Sequence, residues 1–327
     1  MKLKSFFSLV NRAWNDIVSP NRFGVSEDFL NAPKYPYGLD YSTVGMHDYY
    51  DMEFDEGGII LMSHYYDHLE KYGNNKKHYY SPVKIAHYAL ASYNDFLKTR
   101  NEKYEESFRT HLNYLTNNTV LCNGCIVWET PTSNPKYELE PGYISAIVQG
   151  LAISALVRGY IHFNDQRYIE LAEEALDVLK VPVEEGGLLA KTKWGWVYEE
   201  YPCKPYSHVV NGFMFCLIGL YDLKHVNKQS EAKVLFEKGI LSLEKMIPEW
   251  LDNDWATYDL RHITGEYKMN YATRHYQYLH IDQLNILYLI TGSIQIFEAI
   301  EIIRSQISSI TITIKLYYKK YRYLLSV

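Results

Sequence analysis

Apolar residues recur at helical spacing in eight stretches of this chain, and the stretches come two by two with only a few residues between them. Ser81-Pro82 pairs an N-cap with proline at the first helical position, and Ile85, Tyr88, Ala89, Tyr93, Phe96 and Leu97 then follow at helical spacing. A partner is expected at about 102–118. From Tyr143 to Phe163, Ile144, Ile147, Val148, Leu151, Ala152, Ala155, Leu156 and Tyr160 form a broad apolar face, and Asn164-Asp165 caps the partner at 166–180. A hairpin-like insertion from Gly186 to Glu200 precedes a helix over 207–225, and then one over 230–247 that is expected to stop before Pro248. A fourth pair falls at 276–290 and 293–307. Helices joined in pairs by short loops, with strands confined to insertions, predict a mainly α protein: an α/α toroid, or partial α/α barrel of helical hairpins, with short β insertions.

The 327 residues allow two domains or one large core with embellishments. Residues 1–78 read as an irregular, β-containing N-terminal segment and 79–327 as the toroid, with the chemistry-bearing motifs at 139–290. The segment 33–55 is rich in turn formers, and the first seventeen residues read as an amphipathic helix. Their apolar run from Phe6 to Val10, broken by Ser8, is too short for a secretory signal. No run reaches the roughly 18 consecutive apolar residues of a membrane span, so a soluble, cytoplasmic protein with no membrane partner is expected. The tail from Ile307 alternates at Ile310, Ile312, Ile314 and Leu316 and reads as a strand with a basic end.

With 33 basic against 39 acidic residues, a net of -6, the chain lacks the basic excess that a nucleic-acid partner demands. Its unusual component is tyrosine, 32 residues, whose flat face and rim hydroxyl suit stacking on sugars and bonding their hydroxyls, although genome composition inflates tyrosine too. Four cysteines are too few for a disulfide scaffold, and Cys122 and Cys125 form a lone C-x-x-C without the second close pair of a zinc ribbon, so structural thiols are expected. No GxGxxG, Walker A, HExxH or GxSxG occurs, which argues against dinucleotide enzymes, NTPases, zincins and serine hydrolases; no cofactor is expected.

Three segments crowd uncommon polar groups into apolar helical surroundings. In Trp196-Val197-Tyr198-Glu199-Glu200-Tyr201-Pro202, followed by Val209-Val210-Asn211-Gly212, two carboxylates lie between tyrosines ahead of a buried helix. Neighbours there can tune a base, although a solvated turn would look the same. In Tyr258-Asp259-Leu260-Arg261-His262, one helical turn would put Tyr258, Arg261 and His262 on one face, where Arg261 can hold a carboxylate and depress a phenol's pKa. An ordinary Asp–Arg surface pair is the competing reading. The third run, 270–284, carries His275, His280 and Asp282; the two histidines are five apart, awkward for one helical face, so buried or hydrogen-bonded histidines are favoured over a metal site.

At these segments the chain resembles the D-glucuronyl C5-epimerase family, which converts D-glucuronate to L-iduronate within heparosan-type polysaccharides. The strings are LEPGYISAIVQGLAISALVRGY (139–160), YEEYP (198–202) with VVNGFMFCLIGLYDLK (209–224), YDLRH (258–262) and NYATRHYQYLHIDQL (270–284), with a weaker match at YSPVKIAHYALASY (80–93). The resemblance implies catalytic tyrosines at Tyr201, Tyr258 and Tyr276, with Glu200 and Arg261 beside them. It implies substrate contacts at Asn211, and Gln149, His262, Asn270 and Lys84 complete the candidate set. Departures fall at Arg274, where the family favours Trp, and at Gln149-Gly150-Leu151, where it favours Gln-Gly-Gln; after about 292 the match ends. The family's animal members carry a β-rich domain where about 50 residues stand here, implying a compact, microbial relative without that domain or a Golgi anchor. Calcium bound through that region in some members does not carry over.

An acidic polysaccharide is therefore the expected partner, with a homodimer the one protein assembly considered. Carbon 5 of a uronate is a weak acid because its carboxylate is already anionic, so Arg261 is expected to balance the growing charge. Inversion needs a base on one face and an acid on the other, and a tyrosine serves as base only if a positive neighbour holds it as phenolate. Tyr201 is assigned to one face and Tyr258 or Tyr276 to the other, with Glu200 as orienting group or relay. A polysaccharide lyase, which takes the same proton and then expels the group at carbon 4, and a non-catalytic glycan binder are the rival readings.

Overall fold

The computed structural model describes Thr43 and residues 52–63, 78–251 and 254–324. The expected N-terminal amphipathic helix and most of the turn-rich 33–55 segment lie outside them. The described part of the N-terminal segment is a small antiparallel sheet, β1 (Glu53–Phe54), β2 (Ile60–Ser63) and β3 (His78–Tyr79), in that spatial order.

Four helical hairpins follow among the described residues: α1 (Pro82–Thr99) with α2 (Glu102–Asn117), α3 (Ala146–Phe163) with α4 (Gln166–Glu174), α5 (Val210–Val226) with α6 (Ala232–Trp250), and α8 (Arg274–Thr291) with α9 (Ile294–Ser308). A short helix, α7 (Arg261–Thr264), precedes α8, and α10 (Ile310–Leu324) closes the described chain. Three hairpins turn by one device. The last residue of the first helix hands over to a left-handed residue, Arg100 at φ 55°, Asn164 at φ 51° or Gly292 at φ 67°. An N-cap side chain, Asn101, Asp165 or Ser293, follows at once and accepts from the backbone of the next helix. Two residues therefore suffice to reverse the chain.

α1, α3, α5 and α8 form an inner row, and α2, α4, α6 and α9 pack outside it. This is the α/α toroid. α3 and α5 are apolar nearly all round because they sit mid-row; α3 has the length and composition to cross a bilayer, yet 78% of it is buried in the protein. Their backbones touch: a Cβ on Gly150 would lie 2.5 Å from the Cα of Cys216, and one on Gly219 2.2 Å from the carbonyl oxygen of Gly150. Further along, Arg158 of α3 meets Asp222 of α5 at 2.6 Å, both buried. Early residues face early and late face late, so α3 and α5 run parallel and their N-termini open on the same end. Tyr93 of α1 packing on His162 of α3 extends that direction to α1.

Between the hairpins lie β4 (Val120–Cys122) with β5 (Cys125–Val127), and β6 (Leu189–Thr192) with β7 (Gly195–Tyr198), both antiparallel. Cys122 and Cys125 stand opposite each other across the Asn123-Gly124 turn, and all four cysteines are free thiols.

Three expectations are corrected. The tail is a helix: Ile312, Thr313 and Leu316 turn inward and Ser309 caps it, whereas Ile314 is exposed. Positions 312 and 316 fit both periods, so alternation over one short stretch did not discriminate between them. Second, α6 runs through Pro248 to Trp250. The proline removes one donor in the final turn, while Trp250, fully buried with its indole nitrogen on the Thr257 carbonyl at 2.8 Å, holds that turn in place. Third, Tyr258 is not helical. It lies in a bend, its backbone N–H donating to the Asn270 carbonyl at 2.6 Å, and α7 begins only at Arg261.

Candidate active site

Polar groups gather where the connections 128–145, 199–209 and 256–273 meet the N-terminal ends of α3, α5 and α8. The β6–β7 hairpin delivers Glu199 and Glu200 there, and both are buried, which removes the solvated-turn reading. They divide the work. Glu199 accepts from the Ser207 hydroxyl and the His208 backbone, both at 2.9 Å, and pairs with the His208 ring, so it fixes the connection into α5. Glu200 packs against Gly212, where a Cβ would come within 2.2 Å of its Oε2, and accepts from Asn211 at 3.3 Å. Ser145, at the head of α3, donates to the Glu200 carbonyl at 2.6 Å.

The Tyr201 and Tyr258 phenols lie close enough to the Glu200 carboxylate to favour its charged form. Tyr201 stacks on Tyr137, with ring centroids 4.3 Å apart, and Tyr143 leans against it. Tyr258 meets Tyr276 edge to face at 4.8 Å. Thr273 caps α8 and so sets Tyr276 in its first turn. Two aromatic groups, Tyr137–Tyr143–Tyr201 and Tyr258–Tyr276, thus flank one carboxylate.

Asp259 organises the cationic side. Its Oδ2 accepts from the Tyr137 hydroxyl at 2.8 Å, from Asn270 at 2.6 Å and from Lys136 at 3.4 Å. The carboxylate is almost fully buried, so the surface-pair reading fails. Arg261 stacks on Tyr267 at 3.6 Å, lies 5.3 Å from the Tyr137 ring centre, and donates from Nη1 to the Lys136 carbonyl at 2.7 Å, while its buried Nε has no partner.

Burial pushes the Glu200 carboxyl up to about 7, with Glu199 reinforcing the shift against the two phenols. Burial, and then the Glu200 charge, drives Tyr201 and Tyr258 well above the ordinary phenol value. Both shifts disfavour a resident phenolate: Arg261 stacks on Tyr267 at 3.6 Å, and the charge that acts most on Tyr201 and Tyr258 is the Glu200 carboxylate.

The structure thus brings Glu200, Tyr201, Tyr258, Tyr276 and Asn211 together, with Arg261 and Asn270 attached through Asp259. It gives other candidates different work. Gln149 is fully buried and spends its amide on Trp128 N, Ile126 O and Ala175 O, tying α3 to its surroundings. Lys84 is buried under β2, its Nζ donating to the Leu61 carbonyl at 2.5 Å. His262 is half-buried in the fields of Asp259 and Glu249. His280 is fully buried edge-on to Trp250, and burial pulls its imidazole down to about 3. Lys136, Tyr137 and Tyr143 were missed: they precede or begin the first matching string, and the only local signal was a lysine beside a tyrosine.

The fold and the site define a toroid that carries a tyrosine–carboxylate centre at the N-terminal end of its inner helices. Residues 123–305, more than half of the chain, match the family described as D-glucuronyl C5-epimerase C-terminus, and the chain belongs to that family. It is 33% identical over 198 residues to the D-glucuronyl C5-epimerase of Caenorhabditis elegans, covering 56% of this chain and 32% of that one. It is 31% identical over 172 residues to an uncharacterized protein of Methanocaldococcus jannaschii, covering 51% of this chain and 53% of that one. The chain therefore spans about a third of the length of the first of these relatives and about half of the second. In fold it is similar to the GH76A alpha-1,6-mannanase from Salegentibacter sp. HEL1_6, with a TM-score of 0.50 and 17% identity over 72% of this chain and 63% of that one.

Proposed function

We propose that this protein is a uronate C5-epimerase acting on glucuronate residues of a heparosan-like polymer. The observation that carries the reading is Glu200: one buried carboxyl, raised to about 7, beside two tyrosines that belong to different aromatic groups. A carbon acid flanked by a carboxylate loses its proton only to a base that is unsolvated and held in place. Glu200 fits, ionising near neutrality and drawing a proton from the tyrosine that takes the carbon-5 hydrogen. Burial keeps the phenol on the other face protonated at rest, so it gives its proton to carbon 5 from the opposite side and takes back the proton held by Glu200, which leaves both tyrosines neutral and the carboxylate restored. Arg261, fixed by stacking and by the Lys136 carbonyl, balances the charge that grows on the carboxylate.

The test is incubation with heparosan in heavy water, reading deuterium at carbon 5 and iduronate by NMR. Exchange with iduronate formation supports the reading. An unsaturated uronate would replace it with a lyase, and binding without exchange with a glycan-binding protein.

A further inference from the structure

We propose that Lys136 is a second carboxylate-binding cation of this site: its ammonium leaves Asp259 to hold the substrate uronate together with Arg261. The proposal rests on the uronate-epimerase reading and adds to it the residue that selects for the acid.

Lys136 Nζ lies 3.4 Å from Asp259 Oδ2, longer than the 2.7–2.9 Å of a well-made charge-assisted bond. Asp259 does not depend on it, because Tyr137 at 2.8 Å and Asn270 at 2.6 Å already donate to that oxygen and the Arg261 backbone reaches the other at 3.3 Å. The lysine side chain is 40% exposed while its partner carboxylate is 2% exposed, so the lysine is the member of the pair open to an incoming ligand. It sits over the rings of Tyr137 at 4.9 Å and Tyr258 at 5.4 Å, between the two aromatic groups. Arg261 is held rigidly by its stacking and its bond to the Lys136 carbonyl, so a single residue fixes one cation through its backbone and presents another on its side chain.

Charge balance calls for the second cation. With Glu200 ionised, Asp259, Glu200, Arg261 and Lys136 sum to zero; once Glu200 holds the proton they carry one positive charge, which one uronate cancels. Removing the carbon-5 proton spreads a second negative charge over the same carboxylate. If Lys136 moves from Asp259 to the substrate, both cations act on that charge while Asp259 keeps its neutral donors. Burial lowers the lysine's pKa and the charge of Asp259 raises it, so an anion brought beside the ammonium favours its charged form.

The experiment compares wild type, Lys136→Gln and Lys136→Arg for binding to heparosan and to carboxyl-reduced heparosan, alongside carbon-5 exchange. Lys136→Gln should weaken heparosan binding by about 10- to 100-fold, leave binding of the reduced polymer unchanged and slow exchange, and Lys136→Arg should recover most of the loss. Equal loss on both polymers, or no loss on either, overturns the proposal. Should the variants fail to fold, amine acylation of wild-type protein read by mass spectrometry decides: heparosan should protect Lys136 and the reduced polymer should not, and equal labelling overturns the proposal. Absence of exchange in the wild type would instead remove the epimerase reading on its own.

Discussion

Each site tyrosine keeps its ring in a packed aromatic group, so deleting a hydroxyl leaves the packing in place. Tyr201→Phe, Tyr258→Phe and Tyr276→Phe should therefore stay folded, and those that move a proton should lose about 100-fold or more in carbon-5 exchange. A variant that exchanges at the wild-type rate has no part in proton transfer. Glu200 makes a second expectation with a definite sign. Its carboxyl is raised from 4.5 to about 7, so between those values the native chain holds a proton that the unfolded chain has released, and stability falls as pH rises through that window. Glu200→Gln should match wild type in stability below about 4.5 and exceed it above about 7, measured by thermal denaturation across pH. Its exchange should be lost, whereas the wild-type rate should climb as pH passes about 7. Equal stability at every pH would mean that this carboxyl is not raised. These residues were legible in the strings around them, because a Glu-Glu pair between tyrosines is uncommon ahead of an apolar helix. The resemblance picked Glu200 over Glu199, but the reason was not legible: His208 and Ser207 claim Glu199, and Gly212 makes room for Glu200.

At the scale of elements, the contact between α3 and α5 allows no side chain at Gly150 or Gly219. Gly150→Ala gains helix propensity but forces two backbones apart, and overpacking of about 1–3 kcal/mol wins over a propensity term of about 1 kcal/mol. A lower midpoint in denaturant is the expected result, and a stabilised variant would show that the helices are not in contact. Gln149→Leu tests the other role on α3. Trp128 N, Ile126 O and Ala175 O would lose their partner, so stability should fall while polymer affinity per folded molecule stays unchanged. A drop in affinity alone would return Gln149 to the substrate contacts. The hairpins themselves were readable, because a left-handed residue followed by a cap is a local device. The misread tail and the helix that continues through Pro248 were settled by neighbours: α9 beneath α10, and Thr257 beside Trp250.

For the whole molecule, one continuous apolar core runs from Ile59 through every hairpin to Leu316. Tyrosine and tryptophan fluorescence and far-ultraviolet circular dichroism should therefore report coincident unfolding of the described region in guanidinium. Separate transitions would mean that the hairpins unfold as independent units. The buried Arg158–Asp222 pair bridges α3 and α5 at the far end from the site, and Asp222→Ala leaves a buried guanidinium uncompensated. That should cost about 3–5 kcal/mol and lower both signals together.

The sequence by itself determined the number of helical pairs and where most of them turn, since periodicity and caps are local, and its strings made Glu200, Tyr201, Tyr258 and Tyr276 candidates. It did not determine that Tyr258 stands outside a helix, that Asp259 is buried, or that Lys136 and Tyr137 meet Asp259 from more than 100 residues away. Nor did it determine protonation. A tyrosine beside an arginine reads as a potential phenolate, but the depth of burial and the nearest charge set a pKa, and both are properties of the assembled fold.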